Sequence, residues 1–431
     1  MMAIPKKLKL FFGVFMFFVL FGQSAQAQDE LTWQDCVAEA AKNNPDLVSA
    51  AEGITIQKAN RGITVSDLLP QITADAAGST AKTSTTTSGS TTSATSDTFS
   101  YGVTGSQLIF DGLKTIHDVR ASSENIKAIQ QAYRFASSQV RLDLRTAFVN
   151  VLKAQELIRV AEEIVKIRKD SLVLITMQYE SGLEHRGALL TAEANMAQAN
   201  FELAQAKRAL VFAQRQLTKA LGRREFTPLS VQGDFVVHDT ALEKPDFEAL
   251  VKNNPSVLEA IFKKNAAQYG VKSAFSDFAP TLSATARTGR SSSHWPPENE
   301  GWNMGLSVSL PLFEGGLRVA EVSKARAEFR QAIADEQSVH DAAIVYLEQT
   351  WVALQDALQT VDVQEKSLAA AQERAKIAEA QYSTGFISFD NWIIIQNNLV
   401  AAKKSYLQSQ ANALLTEANW IQAKGETLDY V

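Results

Sequence analysis

The chain has 431 residues, 45% hydrophobic and 21% charged, with a formal net charge of −5 and a single cysteine. That length can bury a sizeable core. The acidic balance argues against nucleic acid as a partner, and one cysteine excludes an internal disulfide.

Residues 1–27 have the layout of a secretory signal peptide. Lys6, Lys7 and Lys9 precede an apolar run from Leu10 to Phe21, and Ala25-Gln26-Ala27 offers a small-x-small cleavage site. The alternative is an uncut membrane anchor. Removing the three lysines takes the formal charge from −5 to −8. Cys36 lies nine residues beyond the expected cut. It is therefore not placed to carry a lipid, and the mature protein is expected not to be lipid-anchored.

The remainder reads as a tandem duplication. "KNNP" at 42–45 recurs at 252–255, and "SDLLP" at 66–70 recurs as "SDFAP" at 276–280, both 210 residues apart. "LIFDG" at 108–112 recurs as "PLFEG" at 311–315, "QYESG" at 178–182 as "QYSTG" at 381–385, and Gly222 as Gly425, all 203 apart. Residues 28–222 form repeat 1, with a β-hairpin at about 71–110 and a helical hairpin at about 113–221 whose tip is at 182. A linker at 223–245 leads to repeat 2, 246–425. Its β-hairpin is at about 281–312 and its helical hairpin at about 317–424, with the tip at 385. Residues 426–431 form a tail.

Each repeat opens with short helices. Thr32 and Asp35 have capping-box spacing, Pro245-Asp246 marks the start in repeat 2, and Pro45 and Pro255 mark breaks between two helical pieces. Strands of about ten residues follow, with alternating apolar positions such as Trp302, Met304, Leu306, Val308 and Leu310. The hydroxyl-rich run Ser79 to Thr98 is expected to be a solvated, mobile loop. Phe110 with Gly112, and Phe313 with Gly315, mark turns from strand to helix.

Leu113 to Ser181 and Leu317 to Thr384 contain neither glycine nor proline, and their composition is that of helix formers. An apolar stripe with steps of four and three runs through Val140, Leu144, Ala147, Val151, Ala154, Ile158, Ala161 and Val165, which predicts a left-handed coiled coil. Gly182 and Gly385 then mark the tips of two long antiparallel hairpins.

Four amphipathic strands of spanning length suit a transmembrane barrel, yet four cannot close one. Eight from two copies would enclose a barrel filled by its own side chains. Twelve from three copies would enclose a pore, with twelve long helical stretches making a tube below it.

These features carry a resemblance to the TolC-like outer-membrane efflux and secretion channel family. The residues that carry it are "LPLFEGG" at 310–316 with its twin "LIFDG", "KNNP" in both copies, the two tip phrases and the duplication itself, over about Leu31 to Gly425. The resemblance implies an α+β membrane protein: a homotrimer with an antiparallel α-helical coiled-coil barrel joined to a β-barrel, to which each chain gives four strands. It implies residence in the outer membrane of a Gram-negative cell and contact with its lipid. Partners would be a periplasmic membrane-fusion adaptor and an inner-membrane pump of the RND or ABC type, as in efflux or type I secretion. No cofactor and no catalysis are implied.

The resemblance assigns adaptor contact to the tips, Ser181, Gly182, Leu183 and Thr384, Gly385, Phe386, with Tyr179 and Tyr382 preceding the turns. These residues could instead only shape the turn. Well-described family members carry acidic residues six and nine positions after the second tip glycine. Here those positions hold Asn391 and Ile394, with Asp390 one place off. The expectation is a gate closed mainly by the bulk of Phe389, Trp392 and Ile393, with Asp390 or Asn391 at the pore. The alternative is that the bulky residues are coiled-coil packing. Glu184, His185 and Arg186 read as a solvated end. His117, His185, His238, His294 and His340 show no metal-type pairing. A competing reading, a soluble periplasmic coiled-coil adaptor or scaffold, does not account for the duplicated strand pairs.

Overall fold

The computed structural model describes residues 29–87, 89–237 and 244–428. The expected signal peptide, His238 and the end of the tail lie outside them. The elements in chain order are β1 (Asp29–Leu31), α1 (Trp33–Asn43), α2 (Pro45–Ser66), β2 (Gln71–Thr87), β3 (Ser90–Phe110), α3 (Lys114–Glu180), α4 (Arg186–Ala220) and β4 (Leu229–Val231). Then follow α5 (Phe247–Val251), α6 (Pro255–Ser276), β5 (Thr281–Ser292), β6 (Asn299–Ser309), α7 (Leu317–Ser383) and α8 (Phe389–Ala423).

Local chemistry sets the boundaries. The Thr32 side chain accepts from the Asp35 amide while the Asp35 carboxylate accepts from the Thr32 amide, a complete capping box. Asn44 and Asn254 cap α2 and α6, and Pro45 and Pro255 follow at the first helical position, where a missing N–H costs nothing. In each repeat the glycine ending the second long helix rests on this break. A Cβ on Gly222 would meet the Asn43 carbonyl oxygen at 2.2 Å, and one on Gly425 would meet Pro255 Cδ at 2.5 Å. Both glycines have φ of +79°.

Helices α3 and α7 each run 67 residues, about 100 Å at 1.5 Å per residue. The order of packing in the lower part is α4, α3, α8, α7, and in the upper part α2, α3, α6, α7. Of the predicted α3 stripe, Val140, Leu144, Ala147, Val151, Ala154 and Ala161 are buried, while Ile158 and Val165 are half-buried. Two cores reflect the duplication. In one, Leu144, Phe148 and Leu217 pack with α1, β4, Ala411 and Leu414. In the other, Leu347, Trp351 and Trp420 stand at the equivalent positions and pack with Phe247 and Val251. The segment expected to be a plain linker contributes β4, which pairs in parallel with β1.

The other four strands form one antiparallel sheet in the order β2-β3-β5-β6. Register gives it two unlike faces. Val308, Leu306, Met304 and Trp302 stand beside Leu282, Ala284, Ala286 and Thr288, and Val103 and Gly105 of β3 continue that row to Ala74 and Ile72 of β2. This face is apolar and uncovered, Trp302 being 76% exposed. The intervening positions are polar. On that face Arg287 reaches across β3 to Asp75, 2.8 Å away. The crossing passes Gly102, whose absent Cβ would stand 3.6 Å from Arg287 Nε.

The hydroxyl-rich run is not a loop. Strands β2 and β3 continue through it in unbroken register, Ser79 opposite Thr98 and Thr87 opposite Ser90. Threonine is β-branched and favours extended backbone, and the residues of the run whose side chains are described are exposed, so the pairing does not need a core. These strands are 17 and 21 residues long rather than about ten, whereas β5 and β6 have 12 and 11.

The strand-to-helix turns also differ between repeats. Gly315 and Gly316 both have positive φ, and Gly112 is followed by Leu113 at +70°. Phe110 pairs with Leu282 past a register shift, and Phe313 is 89% exposed.

Glycines with the same φ should differ sharply in tolerance. Gly182→Ala, with open space around it, should cost about 1 kcal/mol for the left-handed backbone alone. Gly222→Ala, which meets a backbone carbonyl, should cost at least ~3 kcal/mol. Thermal unfolding followed by circular dichroism should show a lower midpoint for Gly222→Ala than for Gly182→Ala.

Candidate functional site

The two hairpin tips lie side by side and are built alike. Gly182 (φ +74°) and Gly385 (φ +79°) end α3 and α7 in the left-handed region. The next amide folds back, Leu183 N–H donating to the Gln178 carbonyl at 2.8 Å and Phe386 N–H to the Gln381 carbonyl at 2.8 Å. This is the helix-terminating pattern that glycine makes available. The Ser181 hydroxyl donates to the Met177 carbonyl and Thr384 Oγ1 to the Ala380 carbonyl, so both side chains are engaged by their own helix. Each tip therefore projects one apolar side chain into solvent. Leu183 is 77% exposed and Phe386 83%.

The returning helices are capped differently. His185 Nδ1 accepts from the Ala188 amide at 3.2 Å, and Ser388 Oγ accepts from the Asn391 amide. His185 thus starts α4 rather than merely ending a solvated turn. Histidine is not among the preferred capping residues, so spacing alone offers no cue to it.

Tyr382 is not part of the outer tip surface. It is buried, 4% exposed, with its ring stacked on Trp392 at 4.6 Å and 9° and edge-on to Phe389. Its hydroxyl lies 2.5 Å from Gln178 Oε1 and 3.0 Å from Glu184 Oε1. One tyrosine of the second hairpin thereby fastens both sides of the first. Burial, with the Glu184 carboxylate beside it, pushes the phenol well above the ordinary tyrosine range, so the link stays protonated at neutral pH. Tyr179, the repeat-1 counterpart, is 38% exposed and remains at the surface.

The expected gate divides in two. Phe389, Trp392 and Ile393 are buried with Tyr382, Ile175, Ala188 and Ala192 in one tip core. Their side chains face inward between the hairpins, the placement that the packing alternative describes for all three. Asp390, Asn391 and Ile394 are exposed on the other side of α8. Sequence spacing placed all of these on one helix turn, and only the packing of α8 on its neighbours separates them.

Among the described residues no cluster of His, Cys, Asp and Glu could hold a metal ion, and no helix is long and apolar enough to cross a membrane. Two tandem units, each a strand pair running into a helical hairpin, match the model of a single family, "Outer membrane efflux protein", over residues 36–223 and 248–426. The chain belongs to the outer membrane efflux protein family. Outer membrane efflux protein BepC of Brucella suis is 23% identical over 415 residues, 94% of this chain and 87% of that protein. Outer membrane protein TolC of Escherichia coli is 24% identical over 349 residues, 74% of this chain and 68% of that protein. The open state of the Neisseria gonorrhoeae MtrE outer membrane channel superposes with a TM-score of 0.77 at 19% identity, covering 92% of this chain and 89% of that one. The fold is that of these channels, and the two matched blocks coincide with the two repeats.

Tyr382→Phe should keep the ring stack and lose the link. The tip should lose about 1–2 kcal/mol, seen as faster amide hydrogen exchange at 178–186 with unchanged exchange near Leu144. Because the folded-state phenol is raised, its contribution is complete below the unfolded tyrosine value and is lost as pH rises past it. Exchange at the tips of the parent protein should therefore accelerate above about pH 10, and that extra acceleration should be absent in Tyr382→Phe.

Proposed function

We propose that the chain is the outer-membrane exit duct of an efflux or secretion assembly, acting as a homotrimer. Three sheets of four strands would close into one barrel wide enough for a pore, with the apolar face toward lipid and the Asp75–Arg287 face toward the lumen. The long hairpins would continue the pore into the periplasm. The duct makes and breaks no bond, and the energy for transport comes from an inner-membrane pump.

The observation that carries this reading is the pairing of a lipid-type sheet face at one end of the chain with two exposed apolar knobs, Leu183 and Phe386, at the other. Large apolar side chains held out on rigid turns fit a partner surface. The partner proposed is a periplasmic adaptor whose own helical ends pack against Ser181–Leu183 and Thr384–Phe386. Glycine at each tip leaves the backbone open to that approach. Nearer the pore axis, Asp390, Asn391 and Ile394 are the exposed residues left to line a constriction, and the Tyr382 link is placed to hold the two hairpins together while it is closed.

Purified protein in a planar lipid bilayer should conduct ions in discrete steps. Leu183→Asp with Phe386→Asp should leave those steps unchanged and abolish efflux when the gene complements a channel-deficient host. Loss of conductance in that double variant would mean the knobs belong to the pore. A folded parent protein that never conducts would contradict the duct itself. For the constriction, Asp390→Asn with Ile394→Ala should raise conductance at least ~2-fold over the parent, and an unchanged step size would remove these residues from the gate.

A further inference from the structure

The strands of the sheet end at different heights. The last pair of β5 with β6 is Ser291 with Asn299, and the last pair of β3 with β5 is Phe99 with Ser292. Strands β2 and β3 go on alone for nine more pairs, from Ser79 with Thr98 to Thr87 with Ser90. That is about 30 Å of ribbon at 3.3 Å per residue. Backbone pairing accounts for the register of this ribbon. It does not account for what so long a polar projection meets. Fifteen of the twenty residues from Ser79 to Thr98 are serine or threonine, and the others are Ala81, Lys82, Gly89, Ala94 and Asp97.

The ribbon is the last layer of a series that runs up one face of the sheet. The apolar rows end with Trp302, Thr288, Val103 and Ala74 side by side. The next row on that face is Glu300, Arg290, Tyr101 and Ala76. Arg290 Nη2 lies 3.4 Å from Glu300 Oε2. A hollow of about 380 Å³ is lined there by Val103, Tyr101, Thr288, Arg290 and Glu300. Below it, a second hollow of about 650 Å³ has Ile72 and Leu306 among its walls. One row higher the Phe99 ring lies against Gly78, where an added Cβ would stand 3.2 Å from it. Trp295, from the turn between β5 and β6, sets its ring edge-on to Phe99 at 6.3 Å and to Tyr101 at 6.5 Å, and is still 65% exposed. Above come Thr80 opposite Asp97, Lys82 opposite Thr95, Ser84 opposite Ser93 and Thr86 opposite Thr91. The Thr80 hydroxyl donates to Asp97 Oδ1 at 2.8 Å, and the Thr86 and Thr91 hydroxyls are 3.0 Å apart. Both charges of the ribbon fall on this face at its root. Both alanines fall on the other, which continues from Asp75 and Arg287. Higher up, strand twist turns the two faces and gives the whole blade the same surroundings.

Resting on the reading that the apolar face lies in an outer membrane, we propose that this series binds a phosphorylated glycolipid of the outer leaflet, a lipopolysaccharide. Its acyl chains lie over the hollow beside Ile72 and Leu306. Its phosphate meets the Arg290 guanidinium. Its sugars lie on Trp295 and along the hydroxyls of the ribbon. Hydrocarbon, phosphate and sugar follow one another in that molecule in the order in which the face offers apolar, charged and hydroxyl rows. The contact with Glu300 leaves the rest of the Arg290 fork to a phosphate. The exposed indole offers a flat apolar surface to the C–H side of a sugar ring, and its N–H can donate. From Ser79 to Thr98 the ribbon has no Trp, Tyr, Phe, Met, Leu or Arg. Aromatic residues, Met and Arg are what anchor a protein partner, so a protein finds no anchor above Phe99. A saccharide needs none, because each hydroxyl both donates and accepts, and the two edges of the ribbon add backbone amides and carbonyls.

The test uses the full-length protein in a neutral detergent and three probes: lipopolysaccharide with a complete core, lipid A without core sugars, and core oligosaccharide freed of lipid. Calorimetric titration should show complete lipopolysaccharide held at least ~10-fold more tightly than lipid A. Replacing residues 80–97 with Asn-Gly, which closes a two-residue hairpin turn, should lower complete lipopolysaccharide to the lipid A value. It should leave lipid A binding and single-channel conductance unchanged. Thr86→Val with Thr91→Val and Thr95→Val keeps the β-branched shape and should weaken complete lipopolysaccharide at least ~3-fold. Arg290→Gln should weaken complete lipopolysaccharide and lipid A alike. Equal affinity of the parent and the shortened protein for complete lipopolysaccharide would overturn the proposal. So would a parent that binds the lipid-free core as tightly as the whole molecule, which would point to a soluble saccharide. A parent that conducts but binds none of the three probes would overturn it and leave the duct. A folded parent that never conducts and is absent from outer-membrane fractions would overturn the duct itself.

Discussion

The packing of α3 on α8 is the interaction from which the rest of the chain follows. It joins the two repeats through the lower half of the molecule, and it gives α3 two neighbours along its length. Val149, Val160 and Ile164 are buried as a result. The same stripe written a second time, in α7, meets a neighbour on one side only. A chain with two such repeats cannot satisfy itself. Its strands make a four-stranded sheet with two free edges, β2 and β6, and its long helices make a layer whose outer members are α4 and α7.

Rigidity is the second consequence. A helix of 67 residues without glycine or proline transmits position from the sheet to the tip. The breaks that do occur are confined to the ends, at Asn44-Pro45 and Asn254-Pro255, and each is braced by the glycine that closes the opposite helix. The tip is held by a different chemistry. There the packing is aromatic, Tyr382 on Trp392 and Phe389, and a single hydroxyl spans the two hairpins. A long lever locked at its end by one buried hydrogen-bond pair can be released locally, without unpacking Leu144, Phe148 or Trp420 far above.

Much of this was legible in the sequence because duplication supplied an internal comparison. Repeated phrases at a constant spacing located the strand-to-helix turns and the tips, and caps such as Thr32 with Asp35 appear in the structure as their spacing predicts. Composition misled at Ser79 to Thr98. A hydroxyl-rich run looks like a loop when a core is sought, but an edge ribbon of threonines needs only its backbone partners. Burial at the tip was also hidden. Tyr179 and Tyr382 precede their glycines by the same three residues, yet only Tyr382 turns inward, because Trp392 has no aromatic counterpart in repeat 1, where Leu189 stands. Linear spacing gives the helix face a residue occupies, and which face meets which neighbour is decided by packing.

The mass of the detergent-extracted protein, measured by light scattering and corrected for bound detergent, tests the central claim most directly. The account predicts a particle of three chains, recovered from outer-membrane fractions, because three is the number that turns four strands and four long helical stretches into a closed tube with a pore. A protein that remains soluble without detergent as one or two chains would contradict it. The free edges of α4 and α7 would then belong to a periplasmic scaffold rather than to a channel wall.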